Sequence, residues 1–168
     1  MLTYCKKFCK RSFSWLFDLR GTPEAIAGGF ALGILIAFTP TVGVQMIIAA
    51  FIATLFNLNR IAAIVPLWIS NPVTLVPIYA GTYWIGLKFV PGPSYLEVFE
   101  KLKAAASGLE NISTFSFIEQ FQSILSLGGT VFGIMTLGAL IIGLPLSVLS
   151  YYAVLFLVRK ESSDITSN

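Results

Sequence analysis

The stretch Gly21-Thr22-Pro23-Glu24, the uncharged apolar run 25–38, the interruption Thr39-Pro40-Thr41-Val42-Gly43 and a second apolar run 44–58 set the architecture of this chain. The opening tetrapeptide reads as a helix start. Thr22 serves as N-cap, Pro23 takes the first helical position, where no N–H is needed, and Glu24 meets the positive end of the helix dipole. Pro40 and Gly43 then break or sharply turn the helix. Each apolar arm holds 14 or 15 residues, roughly 21 Å of helix, against a hydrocarbon core of roughly 30 Å. Neither arm spans comfortably alone. A helical hairpin that enters a membrane and returns fits the lengths better than two full spans, and a single kinked span would need extreme tilt.

Charge spacing extends this reading to the rest of the chain. No charged residue falls in the 35 positions between Glu24 and Arg60, the 27 between Arg60 and Lys88, or the 39 between Glu119 and Arg159. A helical span needs about 20 residues, so each gap holds at least one. The second gap is broken at Ser70-Asn71-Pro72 and carries Pro66 and Pro77. The third runs from Gly128 to Val158, with Pro145 predicting a kink. Small residues recur at Ala25, Gly29, Gly33 and Ala37, and at Gly129 and Gly133, spacings that let another helix approach closely. A second stripe, Gln45, Ala49, Ala53 and Asn57, is small in the middle and polar at both ends.

Composition agrees. Hydrophobic residues make up 56% of the chain and charged ones 11%, with a mean hydropathy of +0.82. Soluble domains carry about 25% charged residues, so a water-facing surface is hard to build here, whereas a lipid-facing one is not. The expected fold is an all-α, polytopic membrane helical bundle with a broken or re-entrant hairpin and short interfacial helices. Its parts are a basic interfacial arm (1–20), a membrane domain (21–90), a polar loop with short amphipathic helices (91–127), a terminal span (128–160) and a tail (161–168).

The arm gathers Lys6, Lys7, Lys10, Arg11 and Arg20, five of the eleven basic residues. Phe8, Trp15, Leu16 and Leu19 offer it an apolar side, so it reads as an interfacial helix on anionic lipid. Nucleic-acid binding is the competing reading of a basic arm, and no globular basic domain follows to support it. No short apolar stretch with a cleavage site follows the basic cluster, so retention of the segment is expected. In the loop, Ser94 with Glu97 forms a capping box, Glu97 and Lys101 pair, and Gly108 stops the helix. Its expected apolar face is Leu96, Phe99 and Leu102. Ser116 with Glu119 starts a second piece with Phe117, Phe121 and Leu125. If the first gap is a hairpin, Arg60 returns to the side of the amino terminus, the second gap crosses, and the third returns. Both termini are then cytoplasmic in an inner membrane, in agreement with the positive-inside rule.

From Gly21 to Val90 the order of residues resembles a known family. Gly21-Thr22-Pro23-Glu24, Gly33, Pro40, Gly43, Gln45 and Asn59 carry the resemblance, followed by Trp68-Ile69-Ser70-Asn71-Pro72, Thr74, Pro77, Tyr79 and Gly86. Together they are similar to a prokaryotic membrane family, the domain of unknown function 2062. The resemblance covers about the first 90 residues strongly and the terminal span loosely. It implies a bacterial inner-membrane protein, and relatives joined to glycosyltransferase-like domains point toward the cell envelope and its lipid carriers. It supplies no catalytic residues.

The chemistry that remains is sparse. Histidine is absent, which removes the commonest general base and metal ligand. Cys5 and Cys9 make neither a disulfide framework nor a metal site on their own. The three gaps contain none of the ionisable groups that proton-coupled transporters and intramembrane hydrolases place there. No metal, cofactor or catalytic residue is therefore expected, and Ser70, without a base, reads as a polar turn. The interrupted backbone does offer a site. Unpaired N–H and C=O groups at membrane depth are tolerated only inside protein or in a wet cavity, and paired broken segments mark binding sites in transporters. Thr39, Thr41, Gln45, Ser70, Asn71 and Thr74 would line such a site; the plain alternative is that they only stabilise the turns. Two function classes follow. One is a transporter or a protein handling lipids or lipid carriers. The other is a non-transporting scaffold or accessory subunit of envelope machinery. Expected partners are membrane lipids, with self-association or envelope proteins as further candidates.

Overall fold

The computed structural model describes residues 21–109 and 128–166, and these are helical with no strand among them. The basic arm and the second amphipathic piece around Ser116 and Glu119 lie outside the described residues. Helix α1 spans Pro23–Phe38 and starts as its sequence dictates, with Thr22 Oγ1 accepting from the Ala25 N–H at 3.2 Å. It ends where Thr39 donates both its N–H (3.0 Å) and its hydroxyl (2.7 Å) to the Ile36 carbonyl.

After a turn through Gly43 (φ +93°), α2 covers Gln45–Leu55. It is shorter than the apolar run because Asn57 adopts a left-handed conformation (φ +55°). The Asn57 N–H then bonds Thr54 O at 3.2 Å and the Leu58 N–H bonds Ala53 O at 2.7 Å, the two bonds of a Schellman stop. Asn59 caps α3, Arg60–Ile64, which tightens into a 3-10 helix, Val65–Ile69. Helix α4, Pro72–Gly86, begins on a capping box between Asn71 and Thr74. Helices α5, Tyr95–Leu109, and α6, Gly129–Thr166, complete the chain. α6 continues through Pro145 and runs past Lys160 into what reads from sequence as a tail.

α6 is the spine. Three contacts set α1 antiparallel to its second half. Arg159 meets Glu24 at 2.6 Å, the Ser147 hydroxyl donates to Ala31 O at 2.9 Å, and Gly143 lies against Leu35. α4 runs antiparallel along the first half, where Gly138 abuts the Thr82 carbonyl and Gly86 abuts the Ile134 carbonyl so closely that a Cβ at either glycine would overlap the oxygen. α3 runs parallel to α1, with Gly29 against Asn59 and Ala62 and Gly33 against Ala63 and Pro66. The Asn59 N–H donates to Ala25 O at 2.9 Å, so α2 brings the chain back to the level at which α1 began.

Three apolar clusters hold the assembly. Ile26, Ala27, Ala62, Val154 and Val158 join α1, α3 and α6. Ile36, Ala37, Ala49, Ala53, Ala63 and Leu67 join α1, α2 and the α3 segment. Tyr79, Tyr83, Val98, Leu102, Ile134 and Met135 join α4, α5 and α6.

Two expectations change and a third is sharpened. Gly129 and Gly133 meet nothing within 4 Å among the described residues, and the close approach falls instead at Gly138 and Gly86. The break expected at Ser70-Asn71-Pro72 is present, and it is sharp: the α3 segment and α4 bend by 88° there. On α5 the inward face is Tyr95, Val98, Phe99 and Leu102, while Leu96 is 71% exposed. The Lys101–Glu97 pair forms at 2.8 Å.

Among the described residues one helix, Gly129–Lys160, is long and apolar enough to cross a membrane, with a mean hydropathy of 2.2. α1 and α2 are apolar but shorter, and the bent α3–α4 pair passes the same test only if counted as one span.

Candidate functional site at the helix breaks

The two interruptions that end α1 and precede α4 adjoin in space. Tyr79, fully buried on α4, donates its hydroxyl to the Thr39 carbonyl at 3.0 Å, tying the α1–α2 turn to α4. At the start of α2, Gln45 meets the end of the 3-10 helix. Its Nε2 approaches Leu67 O at 3.5 Å, and the Ser70 hydroxyl faces both Gln45 Oε1 (3.2 Å) and Leu67 O (2.9 Å).

The six sequence-derived residues fall into three pairs. Thr39 and Thr41 hydroxyls lie 2.9 Å apart at the first turn. Gln45 and Ser70 join the two breaks, both buried. Asn71 and Thr74 form the α4 cap: Asn71 Oδ1 accepts from Val73 N at 3.0 Å and Thr74 N at 3.1 Å, while Thr74 Oγ1 accepts from Asn71 N at 3.0 Å. The Thr74 hydroxyl also reaches back to the Ile69 carbonyl. Asn71 and Thr74 are thereby committed to holding the 88° bend.

Gln45 differs. A side-chain amide carries two N–H donors, and an N···O separation of 3.5 Å is beyond the ordinary hydrogen-bond range. In either orientation of the amide, at least one of its hydrogens has no protein acceptor among the described residues. The residue is 7% exposed, so that capacity is held away from bulk solvent. It sits on the first turn of α2, which no side chain caps, leaving the first backbone N–H groups of that helix without an intrahelical partner. The site has donors and a positive helix end but, among the described residues, no Asp, Glu, Lys, Arg or His.

Tyr79 was not legible as part of this site. It lies 40 residues from Thr39, and a single buried tyrosine on an apolar helix carries no spacing that announces a long-range hydrogen bond. Among the described residues, no three of His, Cys, Asp and Glu come together.

No curated protein and no solved structure matches this chain at a significant level. One family model does, that of an uncharacterised protein conserved in bacteria, DUF2062. The match covers residues 6–164, reaching through the terminal helix as well as the motif-rich first half, so the chain belongs to the DUF2062 family.

Proposed function

We propose that this is a multi-pass protein of the bacterial inner membrane that handles a lipid or lipid carrier, accepting the polar head of an amphiphile at Gln45 and the start of α2. The observation that carries this reading is the under-used Gln45 amide, buried where two helix breaks meet. Paired breaks at membrane depth are the usual setting of a transporter's binding site. Amide and backbone donors at a helix start suit a phosphate or carboxylate acceptor. The outer surface supports the membrane placement: Ile47, Phe51 and Leu55, on one face of α2, are 72%, 68% and 66% exposed, and only about a third of the apolar part of α6 is buried. Such apolar area on a small chain calls for a lipid or protein cover.

The test is lipid retained by the detergent-purified protein, identified by mass spectrometry. Wild type should retain one amphiphile class, and Gln45→Leu should lose it severalfold at unchanged abundance. Equal retention by both proteins would overturn the reading.

A specific observation favours the scaffold as the second reading. Among the described residues every buried side-chain N or O atom has at least one hydrogen-bond partner, as a purely structural role for the breaks requires. A scaffold would tolerate Gln45→Leu and fail instead when the basic arm or the 91–127 loop is altered.

A further inference from the structure

α4 and α5 leave an open groove of about 580 Å³ between them, lined by Pro77, Ala80, Gly81 and Trp84 and by Tyr95 and Phe99. The four α4 residues recur at i, i+3, i+4 and i+7, so they form one stripe of that helix. Tyr95 and Phe99 are stacked, with ring centroids 5.9 Å apart, and pack against the core shared by α4, α5 and α6. Gly81 has nothing within 4 Å of the place a Cβ would take, and Trp84 is 51% exposed. The stripe ends in a cation. Lys88, four residues past Trp84, holds its Nζ 4.1 Å from the centre of the Trp84 ring. That ring positions the ammonium and its three N–H donors, and Lys88 has no acidic partner among the described residues. The lysines of α5 are matched instead: Lys101 pairs with Glu97 at 2.8 Å and Lys103 with Glu100 at 3.5 Å. Phe89, next to Lys88, and Leu96, next to Tyr95, are exposed.

We infer that this groove seats one anionic phospholipid of the bilayer, its phosphate on Lys88 and an acyl chain along Trp84, Gly81 and Pro77. Charge and shape select this occupant together. A cationic ligand would compete with the chain's own ammonium groups, since Lys88 already lies over Trp84 and Lys103 lies 5.7 Å from the Phe99 centroid. A small free anion would use Lys88 and leave the apolar groove unfilled. An amphiphile uses both. Aromatic and basic residues at a helix end are also the usual composition of a membrane boundary, and Lys88 follows the end of α4 directly. The inference rests on the membrane reading above and not on Gln45.

The experiment is native mass spectrometry of the full chain in detergent, titrated with phosphatidylglycerol and with phosphatidylcholine of the same acyl chains. Wild type should bind its first phosphatidylglycerol about fivefold more tightly, the attraction of one well-placed lysine. Lys88→Gln should erase that preference and Lys88→Arg should keep it, which separates loss of charge from loss of fold. Gly81→Leu, which fills the groove where no side chain stands in its way, should weaken binding of both lipids severalfold at unchanged thermal stability. Gln45→Leu should leave the preference intact. Equal affinity of wild type for the two lipids, a Lys88→Gln protein that keeps the preference, a Gly81→Leu protein that binds as wild type does, or loss of the preference in Gln45→Leu would each overturn the inference. A benzophenone attached through Gly81→Cys, in a chain lacking Cys5 and Cys9, identifies the occupant in the membrane. A phospholipid adduct is expected on irradiation, and attachment to a second copy or to residues 110–127 would overturn the inference. Release of the chain from vesicles by alkaline carbonate would overturn the membrane reading itself and this site with it; retention without lipid preference would overturn this site alone.

Discussion

Glycine shows most sharply how much one atom decides in this chain. Gly138 has the Thr82 carbonyl where its Cβ would be, whereas Gly133, five residues earlier on the same helix, meets nothing within 4 Å among the described residues. Gly138→Ala should therefore destabilise by about 1–3 kcal/mol, the usual penalty of overpacking. Gly133→Ala should be neutral or slightly stabilising, since alanine is the better helix former by up to about 1 kcal/mol. Thermal unfolding in detergent reads both. Asn71 works through its cap, so Asn71→Ala should cost about 1 kcal/mol and lower abundance, a signature distinct from that of Gln45→Leu. At the other end, the hydrogen bond from Arg159, with the Glu24 backbone contributing, holds the Glu24 carboxyl below its ordinary value. A depressed carboxyl stabilises the fold above its unfolded pKa and loses that contribution as pH falls through its folded value. Wild type should thus lose thermal stability below about pH 4 more steeply than Glu24→Gln does, by a small margin because the pair is exposed.

The elements divide according to how locally their causes act. The start of α1 was readable because Thr22, Pro23 and Glu24 are adjacent and each satisfies a need of the same helix end. The interruptions at Pro40 and at Asn71-Pro72 were readable for the same reason. The early end of α2 was not. Phe56, Asn57 and Leu58 continue an apolar run, and the stop depends on Asn57 entering the left-handed region. A β-branched residue tolerates that conformation poorly, so Asn57→Val should destabilise by about 1–2 kcal/mol, while Asn57→Gly should leave the helix end intact; unfolding of the two variants side by side decides it. The 88° bend before α4 was equally hidden, since run length and proline position announce a break but not its angle. Of the candidate site, the six side chains were legible as polar groups beside breaks. The Asn71–Thr74 cap is a local contact, whereas the joining of two breaks by Gln45 and Ser70 and the part played by Tyr79 follow from contacts 22 to 40 residues apart.

At the scale of the molecule, charged residues among those described gather at two ends. Glu24, Arg60, Arg159 and Lys160 gather where α1 and α3 begin, and Lys88 lies at the end of α4, past the Gly86–Ile134 contact. Along α6 the interval from Ile134 to Arg159 is about 38 Å at 1.5 Å per residue, close to the thickness of a bilayer with its interfacial regions. The central claim is that these two ends face opposite sides of a membrane, with α1 and α2 entering and leaving on the same side. Single-cysteine labelling of intact cells, in a chain lacking Cys5 and Cys9, tests it directly at Arg60→Cys, Lys160→Cys and Glu100→Cys. The account predicts that a membrane-impermeant reagent labels the Glu100 position from outside and reaches the Arg60 and Lys160 positions only after the cells are opened. Labelling of the Arg60 and Glu100 positions from the same side would contradict it.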